Sequence, residues 1–93
     1  MAKRNSRIQR IVVNAKVHRN KDRKRLGFEL PHRAVEALGI EPSGWITVLI
    51  RTTEGRPLYL GKKKMTSNCE VYGTDMNIKR GNPIFVEISD PNQ

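Results

Sequence analysis

The chain's first ordered pattern is an alternation. Ile11, Val13, Ala15 and Val17 interleave with Val12, Asn14, Lys16 and His18, the period of two of a half-buried strand. The run "RNKDRKR", Arg19 to Arg25, interrupts it, and "RLGFEL" resumes it with Leu26, Phe28 and Leu30 on one face. Two strands joined this way predict a hairpin with a cationic tip. Pro31 suits the first helical position, where its missing N–H costs nothing, and Ala34, Val35 and Leu38 share one helical face. Gly39 fits a left-handed stop, with Ile40 placed for the apolar contact of such a cap. A helix of two turns does not hold in water alone, so packing against the flanking strands must fix it.

Glu41-Pro42-Ser43-Gly44 reads as a type I turn. "WITVLIRTT" follows, almost continuously apolar or β-branched, as for a central strand covered on both faces. "TEGR" turns it back into "PLYLG" as a second hairpin. "CEVYG" and, after the "KRGNP" turn, "IFVEIS" complete the set, with Pro83 opening the last strand or lying on an edge. The pattern is mainly β with one short α-helix, free of internal repeats. It divides into a basic arm over 1–7, one domain over 8–89 and a frayed tail over 90–93.

Composition narrows the class. Ninety-three residues at 37% hydrophobic content make one small domain poor in buried surface, so a partner chain is expected to add stability. No apolar run approaches the roughly 20 residues that span a bilayer, and the first residues hold no apolar signal region. A soluble, cytoplasmic, nucleoid-associated protein without membrane contact is the expectation. One cysteine, Cys69, excludes an internal disulfide framework, and with His18 and His32 alone beside it no zinc set forms; neither metal nor cofactor is expected. Cys69 lacks a base or orienting group nearby in sequence and reads as a small packing residue.

Charge carries the functional signal. Residues 1–33 hold eleven Lys/Arg against Asp22 and Glu29, whereas residues 34–93 hold seven of each sign, so the whole net charge of +9 falls in the first third. A neutral body with a basic leading segment suits a polyanion, because Lys and Arg that displace condensed counterions gain affinity. The plain alternative is a solvated face that keeps the chain soluble.

The ordered set "FELP", "VEALGI" and "PSGW" leading to "ITV" resembles the SpoVT-AbrB superfamily of swapped-hairpin regulators and MazE-type antitoxins, over about residues 8 to 62. The resemblance implies a β-barrel formed by a homodimer whose hairpins interleave, with a basic surface laid along double-stranded DNA. The thirty residues after "LYLGKKK" exceed the minimal family domain and raise a sibling, the single-chain B3-type pseudobarrel, which also binds DNA. The family commonly puts basic residues on the short helix, but here Val35 and Glu36 occupy its middle, leaving His32 and Arg33 near its start. The expected DNA contacts are therefore Arg19, Lys21, Arg23, Lys24 and Arg25 of the tip, with Arg33.

Other readings compete. Lys62, Lys63 and Lys64 serve either as edge protection or as further contacts. Phe28, Trp45, Tyr59, Tyr72 and Phe85 fall into strand patterns and read mostly as core, which weakens the case for a single-strand binder that stacks bases on exposed rings. Scattered carboxylates and one cysteine do not suggest an enzyme. An antitoxin paired with a toxin protein is the main rival, although the chain closes on a regular strand where such proteins usually carry an acidic flexible segment. RNA binding is a third class, since phosphate contacts do not separate duplex DNA from RNA.

Overall fold

The computed structural model describes residues 8–20 and 25–92. Seven strands and one helix follow in order: β1 Arg10–Lys16, β2 His18–Arg19, β3 Leu26–Glu29, α1 His32–Ala37, β4 Trp45–Arg51, β5 Pro57–Lys64, β6 Glu70–Gly73 and β7 Pro83–Ser89. They build two antiparallel sheets, one of order β1-β7-β4-β5 and one of order β2-β3-β6. The fold is mainly β, as the alternation predicts.

The alternating positions turn one face of each sheet inward. Ile46, Val48 and Ile50 of β4, Ile84, Val86 and Ile88 of β7, and Phe28 and Val71 of the smaller sheet are buried together with Leu30, Val35, Leu38, Met65 and Met76. Ile11, Val13 and Ala15 of β1 pack half-buried against that core. At roughly 25 cal/mol per Å² of apolar surface removed from water, each such aliphatic side chain contributes about 1.5–3 kcal/mol.

The hairpin differs from the sequence expectation. Only His18 and Arg19 pair with β3, opposite Gly27 and Leu26, whereas Arg10–Lys16 pairs along its full length with β7. β7 offers seven paired residues, with Ile84, Val86 and Ile88 matching Ala15, Val13 and Ile11, whereas β3 is only four residues long. Val17 marks the change of sheet. It is buried, donates its N–H to Asn82 O (3.1 Å) and accepts from Gly81 N–H (2.8 Å), so one continuous stretch serves both sheets.

Two details of the helix-turn unit also differ. Pro31 is the N-cap rather than the first helical residue, because its ψ of 134° is extended. Ser43, at φ 71°, places the left-handed residue third in the Glu41–Gly44 turn, which makes it type II instead of type I; Gly44 N–H still closes it onto Glu41 O at 3.0 Å. The stop itself is as expected. Gly39 is left-handed at φ 78°, and Ile40 is buried with its N–H on Val35 O.

β4 lies between β7 and β5, so it is central, yet only its even-numbered face is covered. Trp45 is 55% exposed, and Thr47, Leu49 and Arg51 are half-buried. Val35 and Leu38 of the helix unit and Phe28 and Val71 of the smaller sheet share one core with the even-numbered positions of β4 and β7, whereas the odd-numbered positions of those strands are half-buried or exposed. No helix among the described residues is long and apolar enough to cross a membrane.

Candidate nucleic-acid interface

In an antiparallel sheet directly paired residues share a face, so the register maps the uncovered side. One row runs Arg10, Ser89, Thr47, Lys62 and the next Val12, Glu87, Leu49, Leu60; Phe85 sits between Asn14 and Arg51, and Trp45 pairs Lys64. Lys16 and Pro83 close the far end. The face thus carries Arg10, Lys16, Arg51, Lys62 and Lys64 against the one carboxylate of Glu87, which Arg10 approaches at 3.5 Å. Between the cations lies an apolar band. Val12 is 61% and Leu60 68% exposed, with Leu49 half-buried between them.

The lysine run is divided by strand parity. β5 extends through Lys64, so Lys62 and Lys64 stand on the uncovered face and Lys63 turns the other way. There its ammonium meets Asp75 Oδ1 at 2.6 Å and lies 5.3 Å from the centroid of the Tyr59 ring. That hydrogen bond holds the Asp75 carboxyl below its ordinary value.

Of the residues expected to contact DNA, Arg19, Arg25 and Arg33 are exposed. Arg19 ends β2 and Arg25 precedes β3; the N–H of Asn20 donates to Arg25 O at 2.8 Å and draws the two ends of the loop together. Lys21, Arg23 and Lys24 lie outside the described residues. Arg33 is the second residue of α1. Beside α1, Asn14, Glu29, Leu30, Pro31 and His32 line a hollow of about 240 Å³, which brings the helix start against β1.

The uncovered side of the smaller sheet is built otherwise. Glu29 and Glu70 are direct cross-strand partners, and the Tyr72 ring lies over Gly27 with the His18 ring meeting it edge-on at 5.7 Å. A Cβ on Gly27 would overlap both the Val71 carbonyl oxygen and the Tyr72 ring, so glycine is required there by close approach. Burial, then the Glu70 carboxylate, pushes the Tyr72 hydroxyl up. Cys69 is fully buried, and burial followed by the carboxylates of Glu29 and Glu36 pushes its thiol up, as befits a packing residue.

The aromatics do not follow the sequence expectation that most of them lie in the core. Phe28 alone is buried; Tyr59, Tyr72 and Phe85 are half-buried, and Trp45 is exposed. Their strand parity is the reason, since Trp45 and Phe85 share the odd-numbered positions of β4 and β7 that the shared core leaves open. Trp45 and Phe85, expected in the core, and Arg51, for which the sequence offers no role, thus join Lys62 and Lys64 on the open face. The signal was available in "WITVLIR", where threonine and arginine at positions 47 and 51 already mark one face as wet.

A second concavity of about 430 Å³ lies between the β4–β5 turn and the connection into β7, lined by Thr52, Glu54, Arg56, Asn77, Lys79 and Asn82 among others. Glu54 stands there against two cations, Arg56 and Lys79. No protein-family model, curated protein or solved structure matches this chain.

Proposed function

We propose that this chain is a duplex-DNA-binding protein acting in transcription regulation, with the β2–β3 loop as its principal phosphate-contacting element. The observation that carries the reading is the confinement of the net charge of +9 to residues 1–33 together with the exposure of Lys16, Arg19, Arg25 and Arg33. Among the described residues the ion pairs are Arg10–Glu87 and Lys63–Asp75, so those four cations are not neutralised by a described carboxylate. Cations held in this way attract a phosphate backbone and release its counterions.

Two assemblies serve this function. Pairing of all seven strands within the chain supports the single-chain pseudobarrel, whereas the resemblance to swapped-hairpin regulators supports a homodimer that exchanges hairpins. Sedimentation equilibrium separates them: a monomer at high micromolar concentration selects the former.

The functional test is binding to duplex DNA across a salt series. With about 6 to 10 phosphates neutralised, affinity falls on the order of 10³ to 10⁵ between about 50 and 200 mM salt. Arg19→Ala with Arg25→Ala lowers duplex affinity, while Lys79→Ala with Arg80→Ala, in the charge-balanced part of the chain, does not. Loss in the control pair alone would overturn the loop assignment. The same series with duplex RNA, and with a toxin protein if one is encoded alongside, decides the rival readings.

A further inference from the structure

The uncovered face of the four-stranded sheet is not explained by duplex binding through the β2–β3 loop. It exposes Val12, Trp45 and Leu60, which a folded chain has reason to hide, and surrounds them with five cations and one carboxylate. Each of its two aromatic rings has a cation as its direct cross-strand partner. Lys64 stands opposite Trp45, and Arg51 stands opposite Phe85. The two ring-cation pairs are six residues apart along β4, about 20 Å at roughly 3.3 Å per residue.

We propose that this sheet face is a platform for single-stranded nucleic acid, with one base stacked on Trp45 beside Lys64 and another against Phe85 beside Arg51. A ring supplies a surface on which any base can lie, and the neighbouring ammonium or guanidinium takes the phosphate that follows it. The apolar band of Val12, Leu49 and Leu60 between the two ends accepts the intervening base or sugar faces. Four-stranded sheets that bind single strands stack about two or three bases in this manner.

Charge complementarity selects this occupant. A second copy docking face to face would bring five cations against five, with one carboxylate per copy to offset them. An anionic membrane favours a protruding apolar tip or an amphipathic helix that can enter the headgroup layer, whereas these side chains stand on a broad sheet. An unpaired strand supplies both what the rings need and what the cations need; a duplex hides its base faces and offers phosphate alone.

Trp45 is the sole tryptophan of the chain, so intrinsic fluorescence reports on the proposed site directly. The full-length protein is titrated with a short oligothymidylate, with inorganic polyphosphate, and with anionic phospholipid vesicles. Binding of a labelled oligothymidylate is followed by anisotropy for the wild type, Trp45→Ala and Trp45→Phe. The expected result is quenching by oligothymidylate but not by polyphosphate or vesicles. Trp45→Ala weakens binding about 10- to 100-fold, the loss of one stacked base, and Trp45→Phe restores most of it. Equal quenching by polyphosphate, a stronger response to vesicles, or an unchanged affinity in Trp45→Ala overturns the proposal. So does emission that becomes shielded with rising protein concentration alone, which would assign the face to a second copy. Arg19→Ala with Arg25→Ala leaves the oligothymidylate quench intact, so failure of the duplex reading and failure of this one give different results.

Discussion

The two sheets use the same inner chemistry and opposite outer chemistry. Inside, both turn alternate, mostly apolar positions to one core. Outside, the four-stranded sheet shows five cations, a tryptophan and an apolar band, whereas the three-stranded sheet shows Glu29 facing Glu70 and a tyrosine folded over a glycine. Folding constrains the inner positions of both sheets about equally, so their similarity carries no information about role. The outer positions are free to differ, and one of the two faces retains solvent-exposed apolar area that costs stability and solubility without aiding the fold. That is the face to question for a ligand.

The strongest way to break the comparison is to remove the smaller sheet from it. Gly27→Ala drives a Cβ into the Val71 carbonyl and the Tyr72 ring, and because a backbone atom is one of the obstacles the strands must separate. A loss of about 2–3 kcal/mol is expected in urea unfolding, as for severe overpacking. A change of less than about 0.5 kcal/mol would show that β3 and β6 are not packed as described.

A charge reversal sharpens it next. Lys62→Glu with Lys64→Glu turns the outer charge of the four-stranded sheet from five cations and one carboxylate to three of each. Loss of two phosphate contacts, at about 0.7 counterions each for a single strand, predicts roughly 25-fold weaker oligothymidylate binding at about 0.1 M salt, with added repulsion increasing the effect. Glu29→Gln on the other sheet leaves that affinity within about two-fold, as expected for a charge on the far layer.

Glu29→Gln has its own smaller signature in stability. Like charges directly opposite on paired strands oppose folding, so the substitution stabilises the protein by about 0.2–0.5 kcal/mol in urea melts at neutral pH. Destabilisation instead would mean that the two carboxylates are shared by a bound cation.

The smallest effect belongs to Asp75→Asn. The Asp75 carboxyl is depressed below its ordinary value of 3.8 by Lys63, so its contribution is fully present above that value and is lost as pH falls through the lower folded one. The carboxylate is 57% exposed, and solvent screening keeps the cost below about 0.5 kcal/mol. Stability of wild type and variant compared across pH should converge at the acid end and part above about pH 4.

Much of the fold was legible because strand alternation is a local signal. The helix unit could be read from Pro31, Val35, Leu38 and Gly39, and the β4–β5 hairpin from "TEGR", since caps and tight turns are dictated by neighbouring residues. The partner of β1 was not legible. Ile11, Val13 and Ala15 present the same alternation to any strand of matching length, and "RLGFEL" was nearer in sequence than "IFVEIS". The site was half legible for a related reason. The charge of residues 1–33 can be counted without coordinates, but the gathering of Lys16, Arg51, Lys62 and Lys64 onto one face depends on the cross-strand register. The exposure of Trp45 is not legible either, because a run such as "WITVLI" resembles a strand covered on both sides until the layer count is known.

The position of β7 has a consequence for how the molecule comes into being. It lies between β1 and β4, so neither of those strands has a neighbour on that side until Pro83–Ser89 arrives. On a ribosome the amino-terminal strand must therefore wait, with Ile11 and Val13 uncovered, while the rest of the domain is synthesised. Pairing between such distant segments places folding in the slower range for small domains, on the order of milliseconds to seconds. The last strand is then a latch: the core closes as one unit when it inserts, and a chaperone has its opportunity in the interval before it does.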